Sequence, residues 1–171
     1  MKLKMVFIFL LAAVLLTACR KVTPPSDVKA PQWAGYTFDD SDRGVKFSIS
    51  YPENWTLSEE RGWDGDETRD ASPDTGISFS FGSDERVSVA AMLFTPYEFG
   101  AGDYVTEEFE TEAGLKGTKY TDLTGDRISV IYAYSGREDL PWYFASVNMS
   151  ETTYDSNKDD IEKAAKSFKL D

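Results

Sequence analysis

Few side chains in this sequence can take part in covalent or acid–base chemistry. The 171 residues include no histidine and only one cysteine, Cys19. The lack of histidine excludes a Ser-His-Asp triad and removes both the usual general base at neutral pH and the commonest zinc ligand. Neither a G-x-G-x-x-G nor a Walker phosphate-binding motif occurs. The candidates for chemistry that we consider are therefore the carboxylates and the thiol of Cys19.

The densest group of carboxylates surrounds Asp64, Asp66 and Asp70. Oxygen ligands at alternate positions 64, 66, 68 and 70 could wrap a hard cation such as Ca²⁺. An EF-hand loop starting at position 64 needs glycine at its sixth and glutamate at its twelfth position, but Arg69 and Thr75 stand there. The sequence thus favours a solvated acidic loop, and a divalent-metal (Ca²⁺) binding lipoprotein is the alternative.

A carboxylate-based hydrolase is the third candidate function, after an accessory or binding lipoprotein and a metal-binding one. Such enzymes hold two carboxyl groups about 5–10 Å apart across a cleft. The chain has 30 acidic residues, so chance pairs are plentiful and are no evidence of catalysis. We therefore predict that the protein is not an enzyme and needs no cofactor.

The N-terminal segment has the pattern of an export signal. Lys2 and Lys4 precede an uncharged, mostly apolar run over positions 5–18, which ends in Leu16-Thr17-Ala18 before Cys19. This run is shorter than the roughly 20 residues that a membrane-spanning helix needs. The pattern Leu-x-Ala-Cys resembles the bacterial lipobox, and this resemblance implies a diacylglycerol and fatty acid on Cys19 and cleavage just before it.

Acylation of Cys19 has consequences for location and for chemistry. It would hold the protein at the extracytoplasmic face of a bacterial cell membrane. Arg20 follows the cysteine instead of the aspartate that marks inner-membrane retention, which predicts the outer membrane if the cell is Gram-negative. An acylated thiol would leave no disulfide and no thiolate metal site, so the core alone would stabilise the domain.

Composition divides the chain into three parts. We predict a signal peptide over 1–18, an acylated cysteine and Pro-rich tether over 19–35, and one α/β domain over 36–171. The net charge is −12, and cleavage would remove two lysines and make it more negative. An anionic domain repels nucleic acid phosphates, so we discard nucleic-acid binding. The predicted partners are a membrane, through the lipid anchor, and a protein.

Hydrophobic periodicity predicts the elements of the domain. Alternation predicts strands over 45–51, 77–81, 87–94 (in the middle of a sheet), 128–134 and 141–150, with extended chain at 55–57 and a long polar loop over 58–76. Val105, Phe109 and Ala113 recur every four residues and predict a helix starting near Asp103. A second helix is predicted from 161, 164, 165 and 168, capped by Asp155 or Ser156. The result is an α+β fold with about six antiparallel strands and two main helices.

Aromatic side chains in predicted loops are candidates for contact with a partner. Trp63 lies between glycines and acidic residues, and Tyr97 and Phe99 lie in a segment flanked by Pro and Gly. Exposed aromatic residues on loops can dock sugars, peptides or proteins. The alternative, which we favour, is that these loops fold back and bury the rings. Most other aromatic residues are predicted to be in the core because they follow the strand alternation.

Several segments resemble the PsbP-like family. Positions 44–55 read Gly-Val-Lys-Phe-Ser-Ile-Ser-Tyr-Pro-Glu-Asn-Trp, a strand that ends in Tyr-Pro-x-x-Trp. The closing segment Lys-Ser-Phe-Lys-Leu at 166–170 and the strand pair 128–134 and 142–149 also fit. Over 36–170 the resemblance implies an α-β-α sandwich around a central antiparallel sheet. It also implies a non-catalytic accessory or binding role, with a partner that the family does not identify.

Overall fold

The computed structural model describes residues 30–62, 75–92, 104–122, 127–134 and 142–171. Pro31–Asp171 forms one compact unit. Within these ranges no helix is both long and apolar enough to cross a membrane. The strands are β1 (Trp33–Asp40), β2 (Val45–Pro52), β3 (Thr56–Glu60), β4 (Thr75–Ser80), β5 (Arg86–Met92), β6 (Val105–Glu110), β7 (Lys116–Asp122), β8 (Arg127–Tyr134), β9 (Trp142–Ser150) and β10 (Lys169–Leu170), and the α-helix is α1 (Glu151–Lys166).

Seven strands form an antiparallel sheet in the order β3-β4-β5-β9-β8-β7-β6. The strand β8 pairs along its whole length with residues 143–150 of β9, which confirms the predicted pairing of these two segments. The strand β5 lies between β4 and β9, inside the sheet as predicted. Alternate residues of β5, β8 and β9 are buried, because one face of the sheet packs on the core.

A three-stranded sheet, β1-β2-β10, and the helix α1 cover this core face. The Phe47 ring of β2 lies 6.1 Å from the Tyr143 ring of β9 and 5.4 Å from that of Phe168, which follows the helix. Tyr51 of β2 lies 4.9 Å from Phe79 of β4. The small sheet begins at Trp33, so β1 includes residues that were predicted to lie in the tether.

The helix α1 has the apolar face that the sequence predicts. Ile161, Ala164 and Ala165 are buried, as is Phe168 just beyond the helix. The predicted cap at Asp155 or Ser156 is wrong: α1 begins earlier, with Ser150 as its N-cap. The earlier start has a physical cause: the carboxylate of Glu85, in the β4–β5 turn, caps this end of the helix by accepting hydrogen bonds from the Ser150 amide at 3.0 Å and the Thr153 hydroxyl at 2.9 Å.

The predicted helix near Asp103 is wrong, because Val105–Glu110 forms the edge strand β6. A spacing of four residues fits a helical face, but it is also a multiple of the two-residue period of a strand. Val105 and Phe109 therefore share a face in either structure. The ring of Phe109 packs 5.5 Å from that of Tyr132 and 5.7 Å from that of Tyr134, which holds this segment on the sheet.

The prediction of about six strands and two helices is therefore wrong in its counts. The described part of the chain contains ten strands and one α-helix. Within these ranges, the small sheet and α1 together form the layer over the core face of the seven-stranded sheet. The predicted bounds of the polar loop, 58–76, are wrong at both ends, because β3 extends to Glu60 and β4 begins at Thr75.

Candidate partner-binding site

The site begins at the turn between β6 and β7. Thr111, the first residue of this turn, is buried, and its amide donates to the carbonyl of Leu115 at 2.8 Å. The hydroxyl of Thr111 accepts a hydrogen bond from the Leu115 amide at 3.0 Å. Gly114 closes the turn with a φ of 79°, a conformation that favours glycine. The backbone of residues 111–115 is therefore held in one conformation.

This turn is joined to the C-terminal end of α1. The amide of Glu112 donates to the carbonyl of Lys166 at 2.7 Å, which satisfies one of the last carbonyls of the helix. Ser167 donates from its hydroxyl to the carbonyl of Ala164 at 2.7 Å. The two elements that bound the site thus keep a fixed separation.

Between the β6–β7 turn and α1 lies an open cleft of about 450 Å³, which we call the acidic cleft. Glu110, Thr111 and Glu112 line it from the turn, and Asp159, Glu162, Lys163 and Lys166 line it from the helix. The lining carries four carboxylates, two on each wall, and two lysines, both on the helix, so its formal charge is negative. A cleft of this sign attracts cationic groups.

The two lysines of the acidic cleft already have partners. Nζ of Lys166 lies 2.7 Å from a carboxylate oxygen of Glu162, and this hydrogen bond lowers the pKa of Glu162. Nζ of Lys163 lies 3.9 Å from the centre of the Trp33 ring, within the range of a cation–π interaction. Both cations also stand in the last turn of α1, where the helix dipole favours them. The carboxylates of Glu110, Glu112 and Asp159 therefore dominate the charge of the cleft.

A second charged cluster ties the small sheet to β3. The hydroxyl of Tyr36 donates to the carboxylate of Glu59, and this hydrogen bond is the main reason that the pKa of Tyr36 rises to about 12. Arg61 donates to the same carboxylate at 2.7 Å and lies 3.9 Å from a carboxylate oxygen of Asp40. Because its charges pair with one another across the two sheets, we interpret this cluster as structural.

The ionisable groups of the described residues do not resemble an acid–base pair tuned for catalysis. Where a carboxylate pKa is shifted within these ranges, it is shifted down, and the largest cause is a side-chain hydrogen bond in each case. A general acid at neutral pH would need a raised carboxyl pKa. Burial raises the pKa of Tyr132 and Tyr134, which keeps both hydroxyls protonated.

All the site residues predicted from the sequence lie outside the described residues. These are the lipidation residue Cys19, the candidate metal ligands Asp64, Asp66 and Asp70, and the candidate contact residues Trp63, Tyr97 and Phe99. In the ranges that the structure describes, no group of three or more His, Cys, Asp or Glu residues could hold a metal ion. The prediction that most aromatic residues are core residues agrees with the burial of Trp55, Tyr132, Tyr134 and Tyr143.

The acidic cleft itself was missed by the sequence reasoning. Its two walls are distant in the sequence, and one of them was predicted to be part of a helix. A signal was nevertheless present, because Gly114 and the β-branched residues Val105 and Thr106 favour a hairpin over a helix.

Across the described ranges, two antiparallel sheets and one α-helix pack around a common core, which places the protein in the α+β class. No protein-family model matches the chain, and no curated protein matches it. Solved structures do match: the solution structure of cyanobacterial PsbP from Synechocystis sp. PCC 6803 aligns with a TM-score of 0.50 and 17% sequence identity. The alignment covers 88% of this chain and 99% of that chain. The protein therefore has a PsbP-like fold, which confirms the resemblance seen in the sequence; at this identity the likeness concerns the fold alone.

Proposed function

We propose that this protein is a membrane-anchored, extracytoplasmic lipoprotein with a non-catalytic accessory role, and that its acidic cleft binds a basic segment of a partner protein. The observation that carries the proposal is the acidic cleft, whose lining has four carboxylates and only two lysines, both of which already have partners. The PsbP-like fold supports the accessory role, because the resemblance implies binding and not catalysis.

The cleft suits a protein segment better than a small ligand. It is open, and its charged side chains are borne on two walls of stable backbone, the β6–β7 turn and α1. Glu112 and Asp159 are exposed on opposite walls, so a chain carrying lysine or arginine could pair with both. The overall charge of −12 would speed the encounter with a basic partner at low ionic strength.

The anchor is tested by changing Cys19 to Ser in the full chain expressed in a bacterium. We expect the parent chain to incorporate labelled palmitate and to fractionate with membranes. The variant should lose the label and retain its signal segment. Equal labelling of parent and variant would overturn the lipoprotein assignment.

The binding role is tested by crosslinking in intact cells. Glu112→Gln combined with Asp159→Asn removes two charges from the cleft, and Glu60→Gln combined with Asp84→Asn removes the same number from β3 and the β4–β5 turn. We expect the first pair to reduce crosslinking to a specific partner several-fold, because close charge pairs at an interface contribute to affinity. The second pair should leave the crosslinking yield unchanged. An equal loss with both pairs would mean that only net charge matters, and the cleft would be excluded.

A further inference from the structure

The edge strand β6 continues from the wall of the acidic cleft. Glu110 belongs both to β6 and to the cleft lining. Within the part of the chain that the structure describes, β6 pairs with β7 alone and is the last strand of the seven-stranded sheet. The first four residues of β6, 105–108, are exposed. A sheet edge of this kind can accept another strand.

The orientation of the backbone along β6 follows from the turn. The amide of Thr111, next after β6, donates to Leu115 and so points towards β7. Amide direction alternates along an antiparallel strand, with neighbouring residues pointing to opposite sides. The backbone groups that point away from the sheet therefore belong to Thr106, Glu108 and Glu110. An incoming strand would pair with these three residues.

The side chains of β6 select the charge of an incoming strand. The strand carries carboxylates at Glu107, Glu108 and Glu110 and no basic residue. Glu107 keeps 62% of its side chain exposed although it lies 3.4 Å from Lys119, and the Glu108 carboxylate accepts a hydrogen bond from Thr118 at 3.2 Å. Carboxylates thus flank the edge on both faces of the sheet.

The same charges disfavour a second copy of the chain at this edge. Two copies of β6 paired antiparallel would place carboxylates opposite or next to carboxylates, and like charges across a strand pair are destabilising. A strand that bears lysine or arginine would instead meet a complementary charge at each of these positions.

We propose that β6 receives an extended, basic segment of the partner protein as an additional antiparallel strand, with the segment continuing into the acidic cleft. This inference rests on the proposed function and adds the mode of binding. Backbone hydrogen bonds to Thr106, Glu108 and Glu110 would supply affinity, and the carboxylates would supply the preference for basic residues.

The test uses a synthetic peptide of alternating lysine and valine as the probe, with an alternating glutamate and valine peptide as its control, and the full chain in detergent. Glu108→Pro removes an outward amide, and Thr106→Pro does the same at a second position. Proline is tolerated on an edge strand where the amide points to solvent. Glu108→Gln removes the charge but keeps the amide.

We expect the basic peptide to bind and the acidic peptide to fail. Each proline variant should weaken binding about two- to tenfold through the one backbone hydrogen bond that it removes, and Glu108→Gln should weaken it about two- to fivefold. Binding should also slow amide hydrogen exchange at 106, 108 and 110 in the parent chain. This exchange measurement uses only the parent chain, so it remains a valid test even if a proline variant has a lower Tm than the parent.

Two results would overturn strand addition, and they differ in what they say about the cleft. If Asp159→Asn weakens binding while both proline variants bind like the parent, the cleft is retained and strand addition is wrong. If the basic peptide does not bind at low ionic strength, both the cleft and the edge strand are excluded as sites for a basic segment.

Discussion

Replacing Gly117 by Ala tests the hairpin on which the candidate site depends. Gly117 is buried in β7, opposite Phe109 of β6. A Cβ built at Gly117 would lie 2.5 Å from an atom of the Phe109 ring and 2.6 Å from the carbonyl oxygen of Ala133. Both distances are shorter than van der Waals contact. The ring could move only by giving up its contacts with Tyr132 and Tyr134, and the carbonyl belongs to the paired strand β8.

The size of the effect follows from these contacts. Overpacking of this kind costs typically 1–3 kcal/mol, and a clash with backbone points to about 3 kcal/mol. Alanine recovers about 0.4–1 kcal/mol by restricting the unfolded chain. The free energy of unfolding should therefore fall by about 2 kcal/mol. For a chain of this size that corresponds to a Tm lower by about 4–8 °C.

Gly35→Ala is the matched control. Gly35 is exposed in β1, and no atom lies within 4 Å of a Cβ built there. The same chemical change should leave the Tm unchanged or raise it by a few degrees. Thermal and urea unfolding of both variants against the parent chain measure the difference. If Gly117→Ala is as stable as Gly35→Ala, the packing of β6 on β7 is refuted and with it one wall of the acidic cleft.

Three further outcomes are expected. Tyr134→Phe removes a buried hydrogen bond to the carbonyl of Ala165 at 3.1 Å and should lower the free energy of unfolding by about 1–3 kcal/mol in urea melts. Hydrogen bonds from Ser150 and Thr153 hold the pKa of Glu85 below its ordinary value of 4.5, so this carboxylate stabilises the fold above that pH and loses its effect as pH falls through the lowered pKa. The difference in stability between the parent and Glu85→Gln should therefore shrink as pH falls below 4.5, and a constant difference would contradict the capping role. Millimolar Ca²⁺ should leave the Tm unchanged, and a clear rise would instead favour the metal site at 64–70.

The helix α1 could be predicted because its apolar residues recur at spacings of both three and four. The period of two in a strand reproduces a spacing of four but not one of three. Apolar spacing could not identify the strand β6, because Val105 and Phe109 are four residues apart and a spacing of four fits both periods. Tertiary packing of Phe109 on Tyr132 decides between them. Strands β2 and β8 alternate without ambiguity, and there the sequence suffices.

The acidic cleft lay beyond sequence reasoning for a different reason. It exists because the amide of Glu112 meets the carbonyl of Lys166 and thereby sets the β6–β7 turn beside the helix. Nothing in the local pattern around either residue predicts that contact. The candidate metal ligands and contact residues taken from the sequence were instead in segments that the sequence predicts to be loops, where acidic and aromatic side chains can be recognised without long-range information.

The most direct test of partner binding is site-specific photocrosslinking of the anchored protein in intact cells. A photoreactive amino acid at Glu112 would report from the acidic cleft, and the same amino acid at Thr56 would report from an exposed position on β3, at the opposite edge of the sheet. We predict a discrete crosslinked partner from position 112 and none from position 56. Equal crosslinking from both positions, or none from position 112 in cells that contain the protein at its native level, would contradict the account.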